Sequence, residues 1–175
     1  VFAELRIELC VGQYLDLVLS GAPLSEVTLF RTLKVAELKT ARYGFVAPLA
    51  CGAMLAGAAP ETIDALKRAG RHAGLAYQLR DDLIGLFGDD RVAGKDGGGD
   101  YLEGKRTFPV IAAWTRADDA GRALLESLWA SPGPERLSEA RAAVTRFGGL
   151  DATQRVIDSR TRSALKALEL VGPPA

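Results

Sequence analysis

The run Tyr77-Gln78-Leu79-Arg80-Asp81-Asp82-Leu83-Ile84-Gly85-Leu86-Phe87-Gly88-Asp89 sets two adjacent carboxylates inside a strongly apolar helical pattern. Leu83, Ile84, Leu86 and Phe87 favour burial, whereas Asp81 and Asp82 resist it unless a partner compensates their desolvation. At about 100° per residue, Gln78 shares a helix face with Asp81 and Asp82, and Asp81 shares one with Gly85. An amide and two carboxylates then project from one helix wall. A hard divalent cation such as Mg²⁺ relieves the repulsion between the acids and keeps coordination positions open for a phosphate. The plainer alternative is a solvated acidic turn near a helix end.

The next segment, Gly94-Lys95-Asp96-Gly97-Gly98-Gly99-Asp100-Tyr101-Leu102-Glu103-Gly104-Lys105-Arg106-Thr107, is rich in glycine and cations and has no helical period. Glycine lets a backbone approach a ligand closely, and lysine is a natural phosphate partner. An acidic helix followed by a lysine loop suggests a site for a metal-bridged polyphosphate.

These groups must be carried by helices. Apolar positions at Phe2, Leu5, Leu9, Leu15, Leu17 and Val18 predict a helix over residues 1–20, ended by Gly21-Ala22-Pro23. Ser25 is the expected N-cap of a short helix reaching Leu38. Residues 43–58 are apolar nearly all round and predict a central helix, which Pro48 kinks unless it falls in the first turn. Pro60 suits the opening of a long helix to Phe87. Thr107 is the expected cap of an apolar helix with Pro109 in its first turn, and helices follow over 119–130, 135–147 and 150–171. No strand alternation or repeat is evident. The expected fold is an all-α helical bundle, one domain over residues 1–175. His72, the only histidine, has no partner at metal-ligand spacing and is read as a packing residue. The pair Asp118-Asp119 lacks a lysine loop beside it and is read as solvated.

The stretch from Tyr77 to Thr107 closely resembles the second aspartate-rich region of the trans-isoprenyl diphosphate synthases (polyprenyl synthetases), which include the geranylgeranyl and longer polyprenyl diphosphate synthases. Their pattern runs (F/Y)Q-x-x-DD and continues through GK and GKRT, as Tyr77-Gln78, Asp81-Asp82, Gly94-Lys95 and Gly104-Lys105-Arg106-Thr107 do here. Earlier in the chain, Gly12-Gln13-x-x-Asp16 resembles the family's GQ-x-x-D element, and Lys39-Thr40 its cavity-lining lysine–threonine pair. The resemblance implies a prenyltransferase that joins isopentenyl diphosphate to an allylic diphosphate, with Mg²⁺ as cofactor. It implies that Asp81 and Asp82 hold metal, that Lys39 and Lys95 act in catalysis, and that Gln13, Lys39, Thr40, Gln78, Lys95, Lys105 and Arg106 contact the diphosphate. A homodimer is implied in the same way. Asp100 would orient Lys95 or extend the metal shell.

Two departures stand out. Many members have Asp at the fifth position of the second DDxxD, where this chain has Gly85, and Asp89 lies too far along the helix to substitute. The family's first aspartate-rich motif does not occur in the chain. The helical pattern already running at Phe2 suggests that the chain opens inside a helix, so the expectation is that these residues form the later part of the fold and do not catalyse condensation on their own. A non-catalytic partner subunit or a truncated inactive form is the alternative reading. A terpene cyclase on the same fold would prefer Asn, Ser/Thr and Glu at helical spacing, and none is found.

Composition narrows the field. Lys plus Arg and Asp plus Glu are both 22, so the formal net charge is zero, which argues against a general nucleic-acid binder. Hydrophobic residues make up 48%, too many for a disordered chain. The apolar stretch from Phe45 to Ala59 is too short for a membrane span. Cys10 and Cys51 lie in apolar helical contexts and are expected to be a buried, reduced pair, fitting a cytoplasmic setting.

Overall fold

Helices supply all the regular structure among the described residues, 2–88 and 97–171 of the computed structural model. Lys95 lies outside the described residues. Helix α1 spans Phe2–Ser20 and ends where the Ser20 hydroxyl turns back to the Asp16 carbonyl at 2.9 Å. A short 3₁₀ turn over Leu24–Glu26 follows and buries Leu24 completely.

Thr28, not Ser25, caps helix α2 (Leu29–Ala36): its Oγ1 accepts the Arg31 amide at 3.2 Å. The Ser25 amide instead donates to Glu126 Oε1. The expected stop near Leu38 is absent. The chain passes from α2 into a π-helical segment over Glu37–Val46 and then into α3 (Ala47–Leu55), with right-handed helical backbone at every junction. Pro48 produces no break because it sits in the first turn of α3, directly after the widened coil. There the Ala47 amide reaches the Arg42 carbonyl, five residues back. A proline ring ordinarily clashes with the carbonyl four residues before it, and a widened coil relieves that crowding.

Helix α4 (Pro60–Phe87) opens on Pro60 and runs 28 residues. Its inner face uses small residues, Ala65, Ala69, Gly70 and Gly74, before Leu75, Leu79, Leu83 and Leu86. A Cβ on Gly74 would stand 2.5 Å from Ala41 Cα, and one on Gly70 3.2 Å from the Phe45 backbone. These glycines let the π segment lie directly on α4, a close approach that larger residues forbid.

The lysine loop contains one helical turn that its composition did not suggest, α5 (Gly99–Leu102), entered through Gly98 at φ +87°. Helix α6 spans Phe108–Arg116, with Pro109 in its first turn as expected. Thr107 occupies the N-cap position but makes no capping hydrogen bond. Asp118 is a structural cap: its Oδ1 accepts the Gly121 amide at 2.8 Å and starts α7 (Asp119–Ala130). Helix α8 (Leu137–Arg146) turns through Gly148, at φ +72°, into α9 (Gly149–Leu168), which stops three residues short of the expected end.

Two larger cores, with a small third cluster of Ala36, Ala41 and Leu75, hold the helices. One gathers Tyr101, Val110, Ile111, Leu125, Leu128, Trp129 and Val144 from α5 to α8. The other joins Leu79 and Leu83 of α4 to Phe108 of α6 and Ile157 of α9. Burial at roughly 25 cal/mol per Å² makes such contacts the main stabilising term. Helix α3 is less central than its composition suggested, since Leu49, Met54 and Leu55 are exposed and only Ala50 and Ala53 are buried. The cysteines are both free, but Cys10 is exposed and Cys51 half-buried, so they do not form the expected buried pair.

Candidate active site

Several elements converge on one small cavity. Helix α4 brings Gln78, Asp81 and Asp82; the α2–π junction brings Lys39; the segment after α5 brings Lys105, Arg106 and Thr107. Asp16 of α1, Thr32 of α2 and Asp100 of α5 also line it, and its volume is about 100 Å³.

The acid pair is split by its surroundings. Asp82 is 9% exposed, while Asp81 stands exposed at the rim. Gln78, one turn earlier, ties the two together: its Nε2 donates to Asp82 Oδ1 at 2.9 Å and to Asp81 Oδ2 at 3.3 Å. The Gln78 carbonyl accepts the Thr40 hydroxyl, so the amide is oriented from the π segment. Burial pushes the Asp82 carboxyl up to about 7 from its ordinary value near 3.8. The Gln78 hydrogen bond opposes that rise, and the charges of Asp100 and Asp81 add to it. A buried carboxylate beside two others lacks a positive partner, which is the environment a cation relieves.

Both lysines of the cavity are held by carboxylates. Lys39 Nζ lies 2.7 Å from Asp16 Oδ2. That contact depends on Gly12, one turn before Asp16, because a Cβ there would stand 2.7 Å from the Lys39 backbone nitrogen. The glycine lets α1 touch the π segment, and the resulting register delivers Asp16 to the ammonium. Lys105 Nζ lies 2.8 Å from both Asp100 Oδ1 and Glu103 Oε2. Burial works against the Lys105 ammonium, but its hydrogen bonds to those acids outweigh burial and raise its pKa. Burial likewise raises the Asp100 carboxyl, against the pull of Lys105.

The loop bearing Lys105 is anchored by aromatic residues that no motif pointed to. Trp129 Nε1 donates to the Lys105 carbonyl at 3.0 Å. Its ring meets Tyr101 edge-on at 5.0 Å, and the Tyr101 hydroxyl donates to the Leu128 carbonyl at 3.1 Å. Residue spacing does not reveal their service to Lys105, because the partner is a backbone atom 24 residues away. Arg106 also fixes the loop: its Nε donates to the Ala22 carbonyl at 2.9 Å, and its Nη1 bonds the Gly104 carbonyl.

Of the residues expected from the sequence, Lys39, Gln78, Asp81, Asp82, Lys105 and Arg106 line the cavity, and Thr40 reaches it through Gln78. Gln13 does not line it; it is exposed on α1, and Asp16 is the residue of that element which does. His72 lies half-buried, with Nδ1 3.4 Å from Arg160 Nη1. Among the described residues, no three His, Cys, Asp or Glu side chains converge closely enough to hold a metal alone. Two carboxylates still fit Mg²⁺, which commonly takes one or two and fills its octahedron with water and phosphate oxygens.

The sequence model of the polyprenyl synthetase family matches residues 1–146. The chain belongs to the polyprenyl synthetase family. A geranylgeranyl diphosphate synthase of Mycobacterium tuberculosis is 40% identical over 165 residues, covering 93% of this chain and 46% of that protein. A short chain isoprenyl diphosphate synthase of Methanothermobacter thermautotrophicus is 32% identical over 98% of this chain and 52% of its own length. The chain thus spans about half the length of the curated relatives it matches. Among solved structures, geranylgeranyl pyrophosphate synthase from Corynebacterium glutamicum, complexed with isoprenyl diphosphate and magnesium, superposes with a TM-score of 0.90 at 33% identity, over 99% of this chain and 49% of that one. The all-α isoprenoid synthase fold expected from the sequence is the fold observed. No helix among the described residues is long and apolar enough to cross a membrane.

Proposed function

We propose that the protein carrying this chain is a trans-prenyltransferase that condenses isopentenyl diphosphate with an allylic diphosphate, giving a product of the geranylgeranyl type. The supporting observation is the cavity in which an acid pair, Asp82 buried and Asp81 at the rim, faces two lysines across a small space. Its family and the synthases it resembles agree with that chemistry. Magnesium and a homodimer belong to the same reading.

In the reaction, the allylic carbon–oxygen bond breaks with its electron pair leaving on the diphosphate, and an allylic cation remains. The isopentenyl double bond attacks that cation, and the proton then lost passes to the departed diphosphate. Asp81 and Asp82 would hold Mg²⁺, which when bound supplies charge neutralisation on the departing diphosphate. Lys39 and Lys105, with Lys95 from the same loop, hold the diphosphate by charge-assisted hydrogen bonds that strengthen as negative charge develops. Gln78 orients both acids from one amide. A closed site would exclude water, which otherwise quenches the cation.

The test is a condensation assay on the full-length protein with isopentenyl diphosphate, an allylic diphosphate and Mg²⁺. The expected result is a longer prenyl diphosphate and a loss of a hundredfold or more in turnover for Asp81→Ala, on the scale of removing one group that stabilises developing charge. Unchanged turnover in that variant would remove Asp81 from the site. Absence of activity alone, with altered product length in another synthase, would favour a partner subunit.

A further inference from the structure

We propose that Arg141 of α8 is a positioning residue for the diphosphate site: it holds the carboxyl end of α4 and, with Leu137, sets where the acid pair stands relative to Lys105. The proposal rests on the diphosphate-site reading above and adds a residue that lies outside the cavity. The last carbonyls of a helix have no partners within it, and that end carries partial negative charge. Helix α4 has no basic residue in its own last turn. The cation comes instead from α8: Arg141 Nε donates to the Leu86 carbonyl at 2.7 Å, and its Nη2 to the Gly88 carbonyl at 3.0 Å. One planar guanidinium thus spans the final turn of α4 and its Gly88 cap, where the backbone becomes extended. Leu86 is one helical turn beyond Asp82. The group that fixes the Leu86 carbonyl therefore also fixes the height at which the acid pair meets the cavity.

The same face of α8 holds the chain where it returns. Leu137 is one helical turn before Arg141, and both are half-buried. The leucine side chain lies against Gly98, where an added Cβ would stand 2.5 Å from both leucine methyl carbons. Gly98, at φ +87°, leads into α5, whose Asp100 grips Lys105 at 2.8 Å. Helix α5 in turn rests on α4: an added Cβ on Gly85 would stand 2.5 Å from Asp100 Cγ. Two neighbouring side chains of α8 therefore clamp the helix that carries Asp81 and Asp82 to the turn that carries the lysine's partner. Neither lines the cavity, so both act on a bound diphosphate through the spacing of the groups that do.

The test separates positioning from stability. The full-length protein is titrated with inorganic pyrophosphate at fixed Mg²⁺ by calorimetry, well below the melting temperature measured by circular dichroism. Wild-type binding is the condition set by the site reading; no binding there refutes that reading and this proposal with it. Given wild-type binding, Arg141→Ala should weaken it about tenfold, within the range that misplacement of positioned groups produces. Arg141→Lys keeps a charge at the end of α4 but cannot span both carbonyls, so its loss should be smaller yet measurable. Val144→Ala opens a cavity on the buried side of the same helix; it should lower the melting temperature and leave pyrophosphate affinity unchanged. A folded Arg141→Ala protein with wild-type affinity would make the arginine merely structural and overturn the proposal, as would an equal loss in Val144→Ala. Should the alanine variant not fold, wild-type affinity in Arg141→Lys overturns it.

Discussion

Replacing Asp82 with asparagine should make the protein more stable at alkaline pH and change little in acid. Asp82 is buried, and its carboxyl titrates near 7 in the folded chain instead of near 3.8. Between those values the folded state holds a proton that the unfolded state has lost. Stability then falls as pH rises through that window, because the unfolded state binds fewer protons than the native one. At about 1.4 kcal/mol for each tenfold change in proton activity, a window of about three pH units corresponds to about 4 kcal/mol. Asparagine keeps the shape, still accepts from the Gln78 amide and carries no charge at any pH. Urea unfolding of both proteins at about pH 4.5 and about pH 8 measures the effect against other titrations. Because about pH 4.5 already lies inside the window, the variant should gain on the wild type by about 3 kcal/mol between the two conditions. Mg²⁺ added at the alkaline end should close much of the gap by stabilising the wild-type acid pair. A stability difference that stays constant across pH would refute the claim that Asp82 is buried without a charge partner.

Other substitutions probe the elements that position the site. Gly74→Ala should destabilise the chain by about 1–3 kcal/mol, the usual cost of overpacking, because its methyl meets Ala41 Cα at 2.5 Å; chemical denaturation checks it, and a neutral result would mean that the π segment does not lie on α4. Trp129→Phe keeps the ring against Tyr101 but removes the hydrogen bond to the Lys105 carbonyl. It should cost about 1 kcal/mol in stability and weaken pyrophosphate binding, both measurable on the purified chain.

The sequence made α1, α4 and the apolar α6 legible because each combines a long helical period with a proline, threonine or glycine boundary. The continuous path from α2 to α3 was not legible: Lys39-Thr40-Ala41 and Pro48 carry local break signals, and the widened coil that overrides them depends on glycines of α4 and α1 distant in sequence. At the site, Gln78, Asp81 and Asp82 could be grouped because their spacing alone puts them on one face. The pairing of Lys39 with Asp16 spans two helices and follows from the close approach at Gly12. Asp100 was visible as a loop acid, but its seat on Gly85 is a packing relation that residue spacing does not encode. Lys95, expected at the diphosphate, lies outside the described residues.

The central claim is that Asp81 and Asp82, facing Lys39 and Lys105, form a receptor for magnesium and pyrophosphate. Calorimetric titration of the wild-type chain and the Asp81→Ala variant with pyrophosphate, with and without Mg²⁺, tests it most directly. The account predicts binding that requires Mg²⁺ in the wild type and is lost in the variant while helical content is kept. Binding that is indifferent to Mg²⁺, or equal in the two proteins, would contradict it.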